Sequence, residues 1–256
     1  MKKHPFHIVS PSPWPLFVAG SLLLTVPLFL FSWSHSGGSR VLLGLVPLVV
    51  SISLWFRDVI HEAFTLGCHT SSVQVSLRLG FLLLIASELI FFFGFFWAYL
   101  HSSLAPCVEL GCLWPPLGVV PLSPLHLPLL NTVVLLTSAA TLTWCHSALL
   151  ASDFLTSSFQ LLTTIELGSL FTCIQVYEYS RCSFTIADSV FGSSFYLATG
   201  FHGAHVLIGT LFLLVCLHRL CSFQLTASRH LGLEFAIWYW HFVDVIWLFL
   251  FIIIYC

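Results

Sequence analysis

Only 7% of the 256 residues are charged and 58% are hydrophobic, whereas soluble domains carry about a quarter charged residues. That leaves too little polar material to coat a water-facing surface, and lipid is the solvent that fits. The net charge of −2 says little by its sum, but with no basic run or basic amphipathic helix a nucleic-acid partner has nothing to stand on.

Met1 to Pro15 begins with Lys2-Lys3 and continues through His4-Pro5-Phe6-His7 and Pro11-Ser12-Pro13-Trp14-Pro15. It lacks the early apolar core and small-residue end of a cleaved signal, so it reads as a polar approach to the first span. A helix needs roughly 20 apolar residues to cross about 30 Å of hydrocarbon. Seven stretches qualify, at about 16–33, 41–60, 79–100, 128–150, 155–177, 189–218 and 234–256. Unbroken apolar runs such as Phe81 to Leu100 exclude barrel strands, which alternate. In lipid the backbone must then satisfy itself as helices. Residues 34–39 join the first two spans. Residues 102–127 join the third and fourth, and prolines 115, 116, 121 and 124 resist helix there. Pro27 and Pro47 fall inside spans and are expected to kink them. The sixth stretch would run about 45 Å as a straight helix and must tilt or project. With no repeat and no soluble segment, residues 1–256 read as a single all-α membrane domain.

Alternating the loops across the membrane places Lys2, Lys3, Arg57, Arg78, Arg219 and Arg229 on one side. Arg40 and Arg181 fall on the other. Six of the eight basic residues thus share a face, as the positive-inside rule requires of seven spans. The N-terminus then lies on the inner side and the C-terminus on the outer.

The nine cysteines include no C-x-x-C pair, which argues against a cysteine-type metal site. Cys107 and Cys112 share a loop and can either pair or remain small apolar thiols.

Ionisable groups inside spans are costly, an acid at a helix centre by roughly 2.5–3.5 kcal/mol. Glu88, mid-way along the third span, is either a proton-linked carboxyl or an interhelical hydrogen-bonding group. His202 and His205, at i and i+3 on the sixth span, share a face beside Gly200, Gly203 and Ala204, which would let another helix approach. Contact between Glu88 and one of these histidines is the favoured arrangement. His146 and His241 lie on other spans without metal-ligand spacing. Asp244 has His241 three residues before it on the same face. Trp238 and Tyr239 suit an interfacial aromatic belt. Glu166 reads as facing the bundle interior.

Strings along nearly the whole chain resemble the haem-copper cytochrome c oxidase subunit III family. They include Trp55-Phe56-Arg57-Asp58-Val59-Ile60, Gln74-x-x-Leu77-Arg78-x-Gly80 and Ser87-Glu88. Further along come Phe95 to Pro106, Trp114-Pro115-Pro116, Pro128-Leu129-Leu130-Asn131-Thr132 and Thr143-Trp144-x-His146. Ala198 to Val206 and Trp238 to Asp244 complete the series. The resemblance implies a seven-helix subunit whose first two and last five helices form a V-shaped bundle with phospholipid in the cleft. It implies no metal and no catalytic residue on this chain, since the haems and copper belong to partner subunits I and II, with accessory subunits around them. It also implies packing against subunit I, support of proton uptake, and residence in the mitochondrial inner membrane with the N-terminus in the matrix and the C-terminus in the intermembrane space.

By the same resemblance Glu88 is the carbodiimide-reactive glutamate, with His202 and His205 as its hydrogen-bonding neighbours. His61, Glu62, His69 and Arg219 match headgroup positions, where arginine beside phosphate makes physical sense. His61 stands where the family often has arginine, which weakens one phosphate contact. Trp238, Trp240, His241 and Asp244 form the terminal structural motif. Two other readings stay open at this point, subunit III of a quinol oxidase and an independent proton-coupled transporter, although transporters commonly show internal repeats.

Overall fold

A computed structural model describes residues 5–35, 38–108 and 111–256. Lys2, Lys3, His4, Ser36, Gly37, Glu109 and Leu110 lie outside the described residues. Seven helices are long and apolar enough to cross a membrane. In chain order they are α1 (Trp14–His35), α2 (Leu42–Phe64), α3 (Ser71–Leu104), α4 (Leu127–Leu150), α5 (Phe154–Arg181), α6 (Ser189–Cys221) and α7 (Leu231–Leu250). No strand occurs among the described residues. The helices extend past the apolar stretches that reveal them, most of all α3, which starts eight residues early. Hydropathy marks only the part that lipid must dissolve, while backbone pairing continues into polar sequence. The Gln74 amide donates to the Thr70 carbonyl at 2.9 Å, and the Gln74 side chain donates to the His69 carbonyl at 3.1 Å. Both α1 and α2 run on through their internal prolines. Past Leu250, α7 continues as a π-helical turn, Phe251–Tyr255.

The chain groups into two compact units, residues 1–77 and 78–256. In the first, α1 packs on α2 through small residues. A Cβ on Gly44 would fall 2.6 Å from Thr25 Cα, so only glycine lets the two backbones approach this closely. The hydroxyls along this seam are satisfied within their own helices. Thr25 donates to the Ser21 carbonyl and Ser51 to the Pro47 carbonyl, each at 2.6 Å. Near the end of α2, Asp58 accepts from the Trp14 indole and, at 3.0 Å, from Arg57.

The second unit is built around tryptophan. The Trp240 indole lies against Gly168 of α5 and Gly209 of α6 and donates to Ser138 of α4 at 2.9 Å. One side chain of α7 therefore joins three other helices. Trp247, two turns on, donates to Thr132 of α4 at 3.0 Å. Contacts at the helix ends fix the directions. Arg78 at the start of α3 meets Glu234 at the start of α7, and His146 near the end of α4 meets His230 just before α7. Near the opposite ends, Tyr99 of α3 donates to the Ile254 carbonyl at 3.4 Å, and Tyr255 donates to Glu178 of α5 at 2.7 Å. Thus α3, α5 and α7 run parallel and α4 runs against them, the alternation that the charge pattern requires.

Candidate functional site

Glu88 projects from the middle of α3 towards α6, where its Oε2 lies 3.0 Å from Nε2 of His205. The other ring nitrogen of His205, Nδ1, is 2.7 Å from the Phe201 carbonyl. A carbonyl only accepts, so Nδ1 carries a hydrogen and donates to it. Nε2 and Glu88 then share a single proton. Either a neutral carboxylic acid donates to a neutral imidazole, or an imidazolium donates to a carboxylate. Both forms carry no net charge, which suits a hydrocarbon setting. Phe91 and Phe92 pack on the His205 ring with centroids 6.4 and 5.0 Å away, and Tyr239 stacks at 6.2 Å. The carboxyl side chain keeps 31% of its surface open and the imidazole 11%. A groove of about 440 Å³, lined by Ser87, Glu88, Phe91, Phe201, Ala204 and His205, opens onto the pair.

His202 does not join this pair. It is fully buried, and its Nε2 donates to the Val243 carbonyl of α7 at 3.2 Å, while Phe171 and Trp247 flank the ring. An i, i+3 pair on a helix is offset by about 60°. That offset turns His205 towards α3 and His202 towards α7. The close helix approaches also lie elsewhere than expected. Space around Gly200 is open and Gly203 faces the Gln175 side chain, whereas the tight contacts fall at Gly168 and Gly209.

In the terminal motif, His241 Nδ1 is 3.5 Å from Asp244 Oδ2, with Asp244 buried and His241 half-exposed. Trp238 packs against Phe81 and Phe235. Tyr239 is only 8% exposed, so it belongs to the interior around His205 and not to an aromatic belt. Glu166 is exposed, not interior. The inward stripe of α5 runs through Gln160, Thr164, Gly168 and Phe171, and Glu166 is turned away from it.

The headgroup candidates separate between the two units. In the first, His7 Nε2 lies 3.9 Å from Glu62 Oε2, and the His7 and His69 rings are 6.0 Å apart. Beside them is a groove of about 320 Å³ lined by Phe6, His7, Ile8, Glu62 and Leu66. Burial pushes His69 below the ordinary imidazole range, helped by His7 and opposed by Glu62. His61 is exposed at the end of α2. In the second unit, the Arg219 guanidinium lies where a Cβ on Gly232 would stand. Among the described residues, no three His, Cys, Asp or Glu side chains are grouped so as to hold a metal ion. Cys107 and Cys112 are exposed, unpaired thiols.

The model of the family described as cytochrome c oxidase subunit III matches residues 4–256. The chain belongs to the cytochrome c oxidase subunit III family. A protein named cytochrome c oxidase subunit 3 from Branchiostoma lanceolatum is 54% identical over 98% of this chain and 96% of its own length. Proteins of the same name from Prototheca wickerhamii and Triticum aestivum are 51% and 50% identical, over 100% and 99% of this chain and 98% and 97% of theirs. As a subunit III, the chain is a multi-pass membrane component of an oxidase complex.

Sequence reasoning missed two features of this subunit III. One is the pairing of Arg78 with Glu234, at 3.0 and 3.1 Å. Its signal was available, since alternation puts the starts of α3 and α7 at the same end. The other is the buried Glu178–Tyr255 bond, which depends on the π-helical turn that carries Tyr255 and left no mark in the residue pattern.

Proposed function

We propose that this chain is a metal-free core subunit of mitochondrial cytochrome c oxidase, and that it braces the catalytic subunit I and supports its proton uptake through Glu88 and His205. The observation that carries this reading is the 3.0 Å approach of Glu88 Oε2 to a His205 ring whose other nitrogen is committed to the Phe201 carbonyl. Such a pair is neutral while it holds the shared proton, and it returns to neutrality when release of that proton into the groove is followed by uptake of another. The haems and copper sit in subunits I and II, and the electrons pass there from cytochrome c to oxygen. Phospholipid occupies the groove beside Glu62, His7 and His69 in the first unit, and Arg219 of the second unit makes a separate headgroup contact. The basic residues at the ends of α2 and α6 and the start of α3 support a matrix-side N-terminus and a C-terminus in the intermembrane space.

Glu88→Gln tests this in the intact oxidase. Glutamine still donates to His205 Nε2 but holds no exchangeable acid proton. The haem spectrum and the subunit set are expected to stay as in the native complex. Proton stoichiometry, or the number of turnovers before inactivation, is expected to fall. Loss of the haem spectrum, or native values for both other quantities, would refute the assignment.

A further inference from the structure

One end of the second unit gathers four ionisable side chains that the Glu88 reading does not use. His146 comes from α4, Arg78 from α3, Glu234 from α7, and His230 from the turn before α7. The His146 and His230 Nε2 atoms face each other at 3.4 Å. Nδ1 of His230 lies 3.0 Å from the Thr226 carbonyl, so it carries a hydrogen and donates there. The same His230 Nε2 is 3.4 Å from Glu234 Oε1, and Glu234 is held by Arg78. The His230 side chain is 9% exposed. From Arg78 to Glu88 is ten residues of α3, about 15 Å along the axis, so this cluster is separate from the Glu88 pair.

We propose that His146 and His230 form a second proton-binding site, which takes up one proton and not two. With both rings neutral, His230 uses its Nδ1 hydrogen on Thr226, so its Nε2 is an acceptor. His146 then donates to it through its own Nε2 hydrogen. Adding one proton gives His230 a hydrogen on Nε2, which turns to the Glu234 carboxylate. The link from α4 to the turn is exchanged for a link from the turn to α7. A second proton would set two cations 3.4 Å apart. Arg78 already occupies the one facing carboxylate, and Arg219 of α6 adds further positive charge behind Gly232. Coulomb repulsion at that separation therefore excludes the doubly charged state. Among these elements Glu234 is the one acid that faces the pair.

The test uses the intact oxidase complex with ring-labelled histidine. Infrared difference spectra between about pH 8 and about pH 5, the range in which imidazole changes charge, count histidine protonations. The double variant His146→Gln/His230→Gln is expected to lose one protonation relative to the native complex. Each single variant is expected to lose none, because the remaining ring takes the proton. The shift of the Glu234 carboxylate band on acidification is expected to vanish in His230→Gln and to persist in His146→Gln. Loss of one protonation in each single variant would show independent histidines and overturn the proposal. So would a double variant that loses none. If the double variant fails to assemble, as judged by its haem spectrum, the single-variant counts and the carboxylate band still decide.

Discussion

Residues 14–64 and residues 78–255 solve the same problem in lipid by different means. In the hydropathic window of α1 6% of residues are buried, and in that of α2 11%, against 33–56% in α4 to α7, while α3, at 6%, is as exposed as α1. The first unit holds together along a narrow seam at Gly44, Thr25, Ser21 and Ser51, and leaves most of its other leucines and phenylalanines exposed. Lipid tails are as apolar as leucine, so burying those side chains against protein would bring little gain. The second unit has a protein interior because it carries groups that lipid cannot solvate. Its indoles, hydroxyls, histidines and acids all need partners, and partners need several helices in fixed register. The interior exists where the chemistry is.

That contrast can be broken most sharply at Trp240. Trp240→Ala opens a cavity shared by four helices and strips Ser138 of its donor, which is expected to destabilise the second unit by about 3 kcal/mol or more. Thermal loss of this chain from the detergent-solubilised complex would report it. Restoration by Trp240→Phe should be partial, since the ring returns without the N–H. Next in size is Gly44→Leu, where overpacking costs about 1–3 kcal/mol. Faster hydrogen exchange should then appear in α1 and α2 while the α7 amides stay protected. Uniform loss in both units would show that they are one cooperative block.

The smallest effect is a difference in acid sensitivity. His69 in the first unit has its folded pKa lowered by burial. The unfolded chain therefore binds a proton first, and the stabilisation present above the ordinary imidazole value of about 6.5 is lost as pH falls below it. Asp153, the N-cap of α5, is held below the usual carboxylate range by its bonds from the Thr156 hydroxyl and amide. Its contribution is present above the ordinary carboxylate value of about 3.9 and is lost only as pH falls further. Protection of the amides in residues 65–70, taken relative to the intrinsic exchange rate at each pH, should fall between about pH 7 and about pH 5, well before the first turn of α5 responds. Simultaneous loss of protection in both segments would contradict these assignments.

Much of the architecture was readable because lipid imposes it. Seven apolar runs of about a bilayer crossing or more, with basic residues concentrated at alternate ends, leave few alternatives to a seven-helix chain. Glu88 was readable for the same reason, since an acid mid-span needs a partner. Choosing between His202 and His205 was not possible from spacing. A 60° offset on α6 separates a ring that meets α3 from one that meets a carbonyl of α7, and only packing sets the rotation of α6. Glu166 misled because interior and exterior are assigned by neighbours. The Thr164, Gly168 and Phe171 stripe defines the inner face of α5, and it does so through Trp240, seventy-two residues after Gly168.

The sequence by itself determined the solvent, the number and approximate extent of the spans, their alternation, the family and the residues costly enough to carry chemistry. These are properties of single segments against a bilayer. Tertiary structure decided which costly residues meet: Glu88 with His205, Arg78 with Glu234, His146 with His230 and Tyr255 with Glu178. Each meeting depends on the rotation and offset of two or more packed helices, and these are set by contacts such as the Trp240 indole against two glycines and a serine, which no segment contains alone.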